Sequence, residues 1–122
     1  MQITTEETPA GITIVRLVGD MRLSSEQRIA DRLRDVVGMA ISMGRRQVVL
    51  SLAEVSKIDS RGIGAIARCE AAAITQRAEM LLVMGPGPVL DSLVRINFIQ
   101  VCRVYPDEAS ALEAFASRDG GA

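Results

Sequence analysis

The chain has 122 residues, 48% hydrophobic and 24% charged, which suits one compact α/β domain and leaves no room for two. Fourteen basic residues against fifteen acidic ones leave a formal charge of −1, so there is no general attraction to nucleic acid or to anionic lipid. The chain has no histidine, which removes the commonest general base and the usual zinc ligand, and its two Phe and one Tyr are too few for a site built on stacked rings. No cofactor or catalytic group is expected, and the chain reads as a non-enzyme.

In chain order, residues 2–6 form a weak strand and Pro9-Ala10-Gly11 a turn. Residues 12–18 are a β-rich run that completes an opening hairpin. After Gly19-Asp20, Ser24 with Gln27 three residues later resembles a capping box. Ile29, Leu33, Val36, Val37, Ala40 and Ile41 then recur at helical spacing, predicting a first helix over 25–43. The run Gln-Val-Val-Leu-Ser-Leu at 47–52 is short and almost continuously apolar, as a central strand covered on both faces should be.

A second helix begins near Gly62, with Asp59 or Ser60 available as its N-cap and Ile63, Ile66, Ala67, Ala73 and Ile74 on one face. Residues 80–84 form another buried strand. Gly85-Pro86-Gly87-Pro88 breaks the chain, and Pro88 suits the first turn of a short helix that carries Val89, Leu90, Leu93 and Val94 and closes at Asn97. A last strand is expected over 101–104. Pro106-Asp107 starts a terminal helix with Ala109, Leu112 and Phe115 inside, and Gly120-Gly121-Ala122 should fray. The order is β-β-α-β-α-β-α-β-α, which predicts a mixed sheet with an opening hairpin and about four helices packed against it. One domain covers 1–122, with its core over 3–116 and a tail over 117–122.

Cys69 and Cys102 are too few and too far apart for a disulfide framework or a metal knuckle, so they are expected as free, half-buried thiols. The amino terminus shows no basic-then-apolar signal pattern, and no apolar run approaches the ~18 residues of a bilayer span. These features predict a cytoplasmic protein without membrane insertion.

The informative stretch is Val55-Ser56-Lys57-Ile58-Asp59-Ser60-Arg61-Gly62-Ile63-Gly64, which leaves a strand and enters a helix. Such a turn lies at the sheet rim where ligands and partners dock, and it sets Ser60 at a helix N-terminus that favours negative charge. Taken alone, Asp59 and Ser60 read more readily as ordinary capping residues than as a functional site, and Gly62 and Gly64 as glycines that permit close helix-to-sheet approach. A phosphorelay receiver with Asp59 as acceptor fits poorly, because Lys57 is the only lysine. The Gly85-Pro86-Gly87-Pro88 turn is a poor phosphate loop, since its prolines lack the N–H groups that would cradle phosphate.

From about Ile3 to Phe115 the chain resembles the STAS (sulfate transporter and anti-sigma factor antagonist) family, especially the bacterial anti-sigma factor antagonists. The resemblance rests on element order and on Arg16-Leu17-Val18-Gly19-Asp20, Val48-Val49-Leu50-Ser51-Leu52 and Ile58-Asp59-Ser60-Arg61-Gly62-Ile63-Gly64. It implies that Ser60, directly after Asp59, is phosphorylated by a partner that is both serine kinase and anti-sigma factor. The unphosphorylated form would capture that partner, and a protein phosphatase would reset the phosphorylated one. Asp20, Arg22, Asp59, Ser60, Arg61 and Gly62 are the implied partner-binding residues, in a monomer or weak dimer. Two positions depart from the pattern: Arg61 stands where the family has a small residue, and Arg22 where it has an acidic one. The alternative within the family is a subunit of a stress-sensing assembly or a regulatory partner of a membrane transporter, with Val89, Leu90, Leu93 and Phe98 as possible contact residues, although Val89 and Leu93, at helical spacing, read rather as core.

Overall fold

The computed structural model describes residues 1–22 and 27–121. The chain folds as β1 (Gln2–Glu7), β2 (Thr13–Met21), α1 (Gln27–Ser42), β3 (Gln47–Ile58), α2 (Ser60–Thr75), β4 (Glu79–Val83), α3 (Pro88–Arg95), a 3₁₀ turn (Phe98–Gln100), β5 (Val104–Tyr105) and α4 (Glu108–Gly121). The five strands lie in the order β1-β2-β3-β4-β5, with β1 antiparallel to β2 and every other pair parallel. This is the mixed α/β sheet that the element order predicts. The Ser24–Gln27 capping pair lies outside the described residues.

The hairpin closes on Thr8 and Gly11. The Thr8 amide donates to the Ile12 carbonyl at 2.9 Å, the Gly11 amide donates to the Thr8 carbonyl at 2.9 Å, and Gly11 holds a φ of 83° that an L side chain rarely adopts. Parallel neighbours need crossovers, and α1, α2 and α3 supply them.

Alternation along the strands divides the core in two. Val15, Leu17, Val48, Leu50, Leu52, Met80 and Leu82 face the layer that contains Leu33, Val37, Ile66, Ala73 and Leu93 of α1, α2 and α3. Ile12, Ile14, Val49, Leu81 and Val83 face Ala111 and Phe115 of α4. Arg16, on this second side, fixes α4 further: its Nε and Nη2 donate to Glu108 at 2.8 Å each, and its Nη1 donates to Glu6 at 2.8 Å. Such a fork-to-carboxylate pair is directional, so it sets the angle at which α4 meets the sheet.

Several boundaries differ from the sequence reading for physical reasons. The central strand runs on to Ile58, six residues past the apolar run. β4 pairs with β3 only over Gln47–Ser51, and beyond that β2 alone flanks it, so its upper half lacks the apolar pattern of a doubly covered strand. The last strand is Val104–Tyr105, because the Val101 amide closes the 3₁₀ turn on the Phe98 carbonyl at 2.9 Å. Ala109 is exposed; Ala111 and Phe115, four residues apart, are the buried stripe of α4, with Leu112 half-buried. Helical backbone continues through Gly121, into the segment read as a tail. Ile74 is exposed rather than on the packed face of α2. Phe98 is buried and therefore unavailable as a contact residue, Val89 and Leu93 are buried as their helical spacing indicates, and Leu90 is half-buried. Both cysteine thiols are free and fully buried rather than half-buried.

Candidate functional site

β3 ends at Ile58 and α2 begins at Ser60, so one residue makes the whole strand-to-helix turn. That residue, Asp59, has extended backbone angles (φ −117°, ψ −179°), and its Oδ1 accepts the Gly62 amide hydrogen bond at 2.8 Å. Its carbonyl also accepts the Ile63 amide at 3.0 Å. Of the two capping candidates in the sequence, Asp59 takes the role. Ser60 occupies the first position of the helix, exposed, and Arg61 beside it is exposed as well.

Gly62 holds this turn against the sheet. A Cβ at that position would lie 2.4 Å from the Met21 carbonyl oxygen and 2.9 Å from Ile58 Cγ1, distances that no side chain tolerates. The first turn of α2 therefore sits on the carboxyl ends of β2 and β3, and Gly62 is buried beneath the surface that Ser60 and Arg61 present. Gly62 belongs to the architecture of the site and is not open to a partner.

The same packing brings the other sequence candidates to the rim. Asp20 is opposite Lys57 in the β2–β3 register, and Met21 opposite Ile58. A register shift between Gly19 and Asp20, with Gly19 at φ 116°, re-aims the end of β2. Asp20 and Arg22 close on each other. Arg22 Nε lies 2.9 Å from each Asp20 carboxylate oxygen, and the Arg22 amide donates to Oδ1 at 3.0 Å. Hydrogen bonds from Arg22, reinforced by the charge of Lys57, hold the Asp20 carboxyl down at about 2, and Asp20 and Asp59 in turn raise the Arg22 guanidinium. Arg22, which stands where the resemblance implies an acid, is thus engaged by the carboxylate two residues before it.

Asp20, Arg22, Asp59, Ser60 and Arg61 accordingly share one edge of the molecule. Among the described residues, the surface beside them carries shallow depressions, one of about 210 Å³ lined by Arg22, Lys57 and Ser92 among others, and one of about 140 Å³ between β3 and the Gly85–Pro88 turn. Depressions this small fall below the roughly 300–1,000 Å³ of small-molecule sites, and relief of this kind suits contact with a macromolecule. Lys57 lies beyond the apolar run at 47–52 yet belongs to β3; the missing signal is the strand's extension past that run. Among the described residues, no group of three His, Cys, Asp or Glu is placed to hold a metal ion, and no helix is long and apolar enough to cross a membrane.

Comparison with known proteins agrees with this architecture. No curated protein matches the chain in sequence. Among solved structures, a Thermotoga maritima protein assigned as an anti-sigma factor antagonist superposes with a TM-score of 0.79 at 18% identity, covering 92% of each chain. The Bacillus cell fate determinant SpoIIAA in its phosphorylated form gives 0.69 at 16% identity, covering 93% of this chain and 99% of its own. A sulfate transporter family protein from Wolinella succinogenes gives 0.75 at 24% identity, covering 92% of this chain and 89% of its own. At such identities the structures attest the fold alone. The model of the STAS domain matches residues 2–111, and on that match the chain belongs to the STAS domain family.

Proposed function

We propose that this STAS domain is an anti-sigma factor antagonist, a non-enzymatic protein-binding switch controlled by phosphorylation of Ser60. The observation that carries the reading is the division of labour at the α2 N-terminus: Asp59 caps the helix, which leaves the exposed Ser60 with no capping duty. A phosphate on its hydroxyl would break no contact that holds the fold.

The first turn of α2 contains no acidic residue beyond its Asp59 cap, so the phosphate would be a second anion at this terminus. Adding about −1.5 to −2 charges at a helix N-terminus is favourable to the extent of ~0.3–1 kcal/mol. The domain would stay folded while the rim changes sign. A partner whose carboxylates face Ser60 would then be repelled, and one that binds the unmodified rim would be released. Asp20, Arg22, Asp59 and Arg61 form the remainder of the docking face. The partner in this reading is a cytoplasmic anti-sigma factor with serine kinase activity, and a protein phosphatase restores the unmodified state.

The test is a pull-down from cytoplasmic extract with wild type, Ser60→Ala and Ser60→Asp, followed by mass spectrometry of the captured proteins and of Ser60. A kinase-type anti-sigma factor should bind wild type and Ser60→Ala and be lost from Ser60→Asp, with phosphate on Ser60 of the wild type. If all three bind the same proteins and Ser60 remains unmodified, the switch is refuted, and a transporter or assembly role takes its place.

A further inference from the structure

A larger concave feature lies on the same rim. A groove of about 620 Å³ opens between α3, the 3₁₀ turn and the carboxyl ends of β4 and β5. Its size falls within the roughly 300–1,000 Å³ of small-molecule sites. The carboxyl ends of parallel strands are where open α/β sheets bind their ligands. β5 is the last strand of the sheet, so no further strand fills this corner.

The walls are apolar for a reason visible in α3. Val89 and Leu93 are buried in the core, and the next residue along in each case, Leu90 and Val94, lines the groove from the neighbouring flank of the helix. Ile99, Val104 and Tyr105 continue the wall, and Val94 and Ile99 are 48% and 41% exposed.

One cation interrupts the apolar lining. Arg103 borders the groove and is exposed, and it pairs with no carboxylate among the described residues. An unpaired guanidinium offers a fork of N–H donors that matches a carboxylate in two simultaneous hydrogen bonds. A peptide adding itself as a strand fits less well, because β5 is two residues long and presents few backbone groups for pairing.

From the apolar walls and the single unpaired cation, we propose that this groove binds a small amphiphilic carboxylate, its apolar chain along Leu90, Val94 and Ile99 and its head group on Arg103. This site is independent of Ser60 and of the switch proposed above.

The probes are decanoate and its neutral counterpart decanol, titrated calorimetrically into the whole chain. Decanoate should bind saturably at one site. Arg103→Gln should weaken decanoate about tenfold or more, as loss of a charge-assisted pair does, and leave decanol unchanged. Val94→Asp should weaken both. Ile74→Ser, at the far end of α2, should alter neither. Circular dichroism establishes that each exposed-site variant is folded. Absence of saturable decanoate binding to folded wild type overturns the proposal. So does equal decanoate affinity in Arg103→Gln, and so does a co-purifying protein held on the groove that decanoate fails to displace.

Discussion

Asp59 accepts the Gly62 amide at 2.8 Å, and this one hydrogen bond decides what Ser60 is free to do. Because the cap is made by the aspartate, the two neighbours should respond differently to truncation. Asp59→Ala leaves a helix N-terminal donor without its partner and should cost about 1 kcal/mol, within the ~0.5–2 kcal/mol range for lost caps. Ser60→Ala removes an exposed hydroxyl and should change stability by less than about 0.5 kcal/mol. Urea denaturation of both variants measures the contrast; comparable losses would mean that Ser60 shares the capping role.

Gly62 and Gly64 form a matched pair of opposite sign. A methyl group at 62 would meet the Met21 carbonyl oxygen at 2.4 Å, and backbone cannot yield as a side-chain end can. Gly62→Ala should therefore lose about 1–3 kcal/mol, as overpacked sites do. At Gly64 no atom of the described residues outside its own turn of helix lies within 4 Å of the position a Cβ would take, and Gly64→Ala should gain roughly 0.4–1 kcal/mol by narrowing the unfolded ensemble. Thermal melts of the two variants should move in opposite directions.

The architecture around this site was legible in the sequence where local chemistry and tertiary packing agree. The apolar run Val48–Leu50 announced a strand covered on both faces, and Ile66 and Ala73 announced the packed side of α2. Where they diverge, the sequence was silent. The upper half of β3 has a partner on one side only, so no apolar run marks it as strand as far as Ile58. Val101 carries strand-forming chemistry, yet its amide is committed to a turn. The Asp20–Arg22 pair was also beyond sequence, because whether an arginine two residues from an aspartate binds it or points to a partner depends on how the end of β2 is bent.

Glu70 is a buried carboxylate that the rim does not use. It lies on α2 with its Oε2 3.2 Å from Cys102 Sγ, whose thiol donates to it. Burial raises its pKa, and the thiol hydrogen bond offsets only part of that effect. The native state thus keeps a proton that the unfolded chain releases once the pH exceeds the ordinary glutamate value, so νU is smaller than νN and stability falls as pH rises until the folded-state value is passed. Glu70→Gln should flatten this decline and stabilise the protein more at pH 7 than at pH 4. Denaturation midpoints across that interval provide the check, and a pH profile identical to wild type would rule out Glu70 as its source.

Thr13 supplies the last prediction. It sits on β2 with 4% of its surface exposed, and its Oγ1 is buried with no hydrogen-bond partner among the described residues. A hydroxyl removed from water and left unpaired costs about 1–3 kcal/mol. Valine has nearly the same shape, prefers strands, and replaces the hydroxyl with a methyl group. Thr13→Val should raise stability by about 1 kcal/mol, since the β2–β3 register and the backbone hydrogen bonds at this position are untouched. Urea denaturation is the measurement, and a loss of stability would show that the hydroxyl is satisfied in solution, by a bound water for example, and that the buried face of β2 is wetter than its packing indicates.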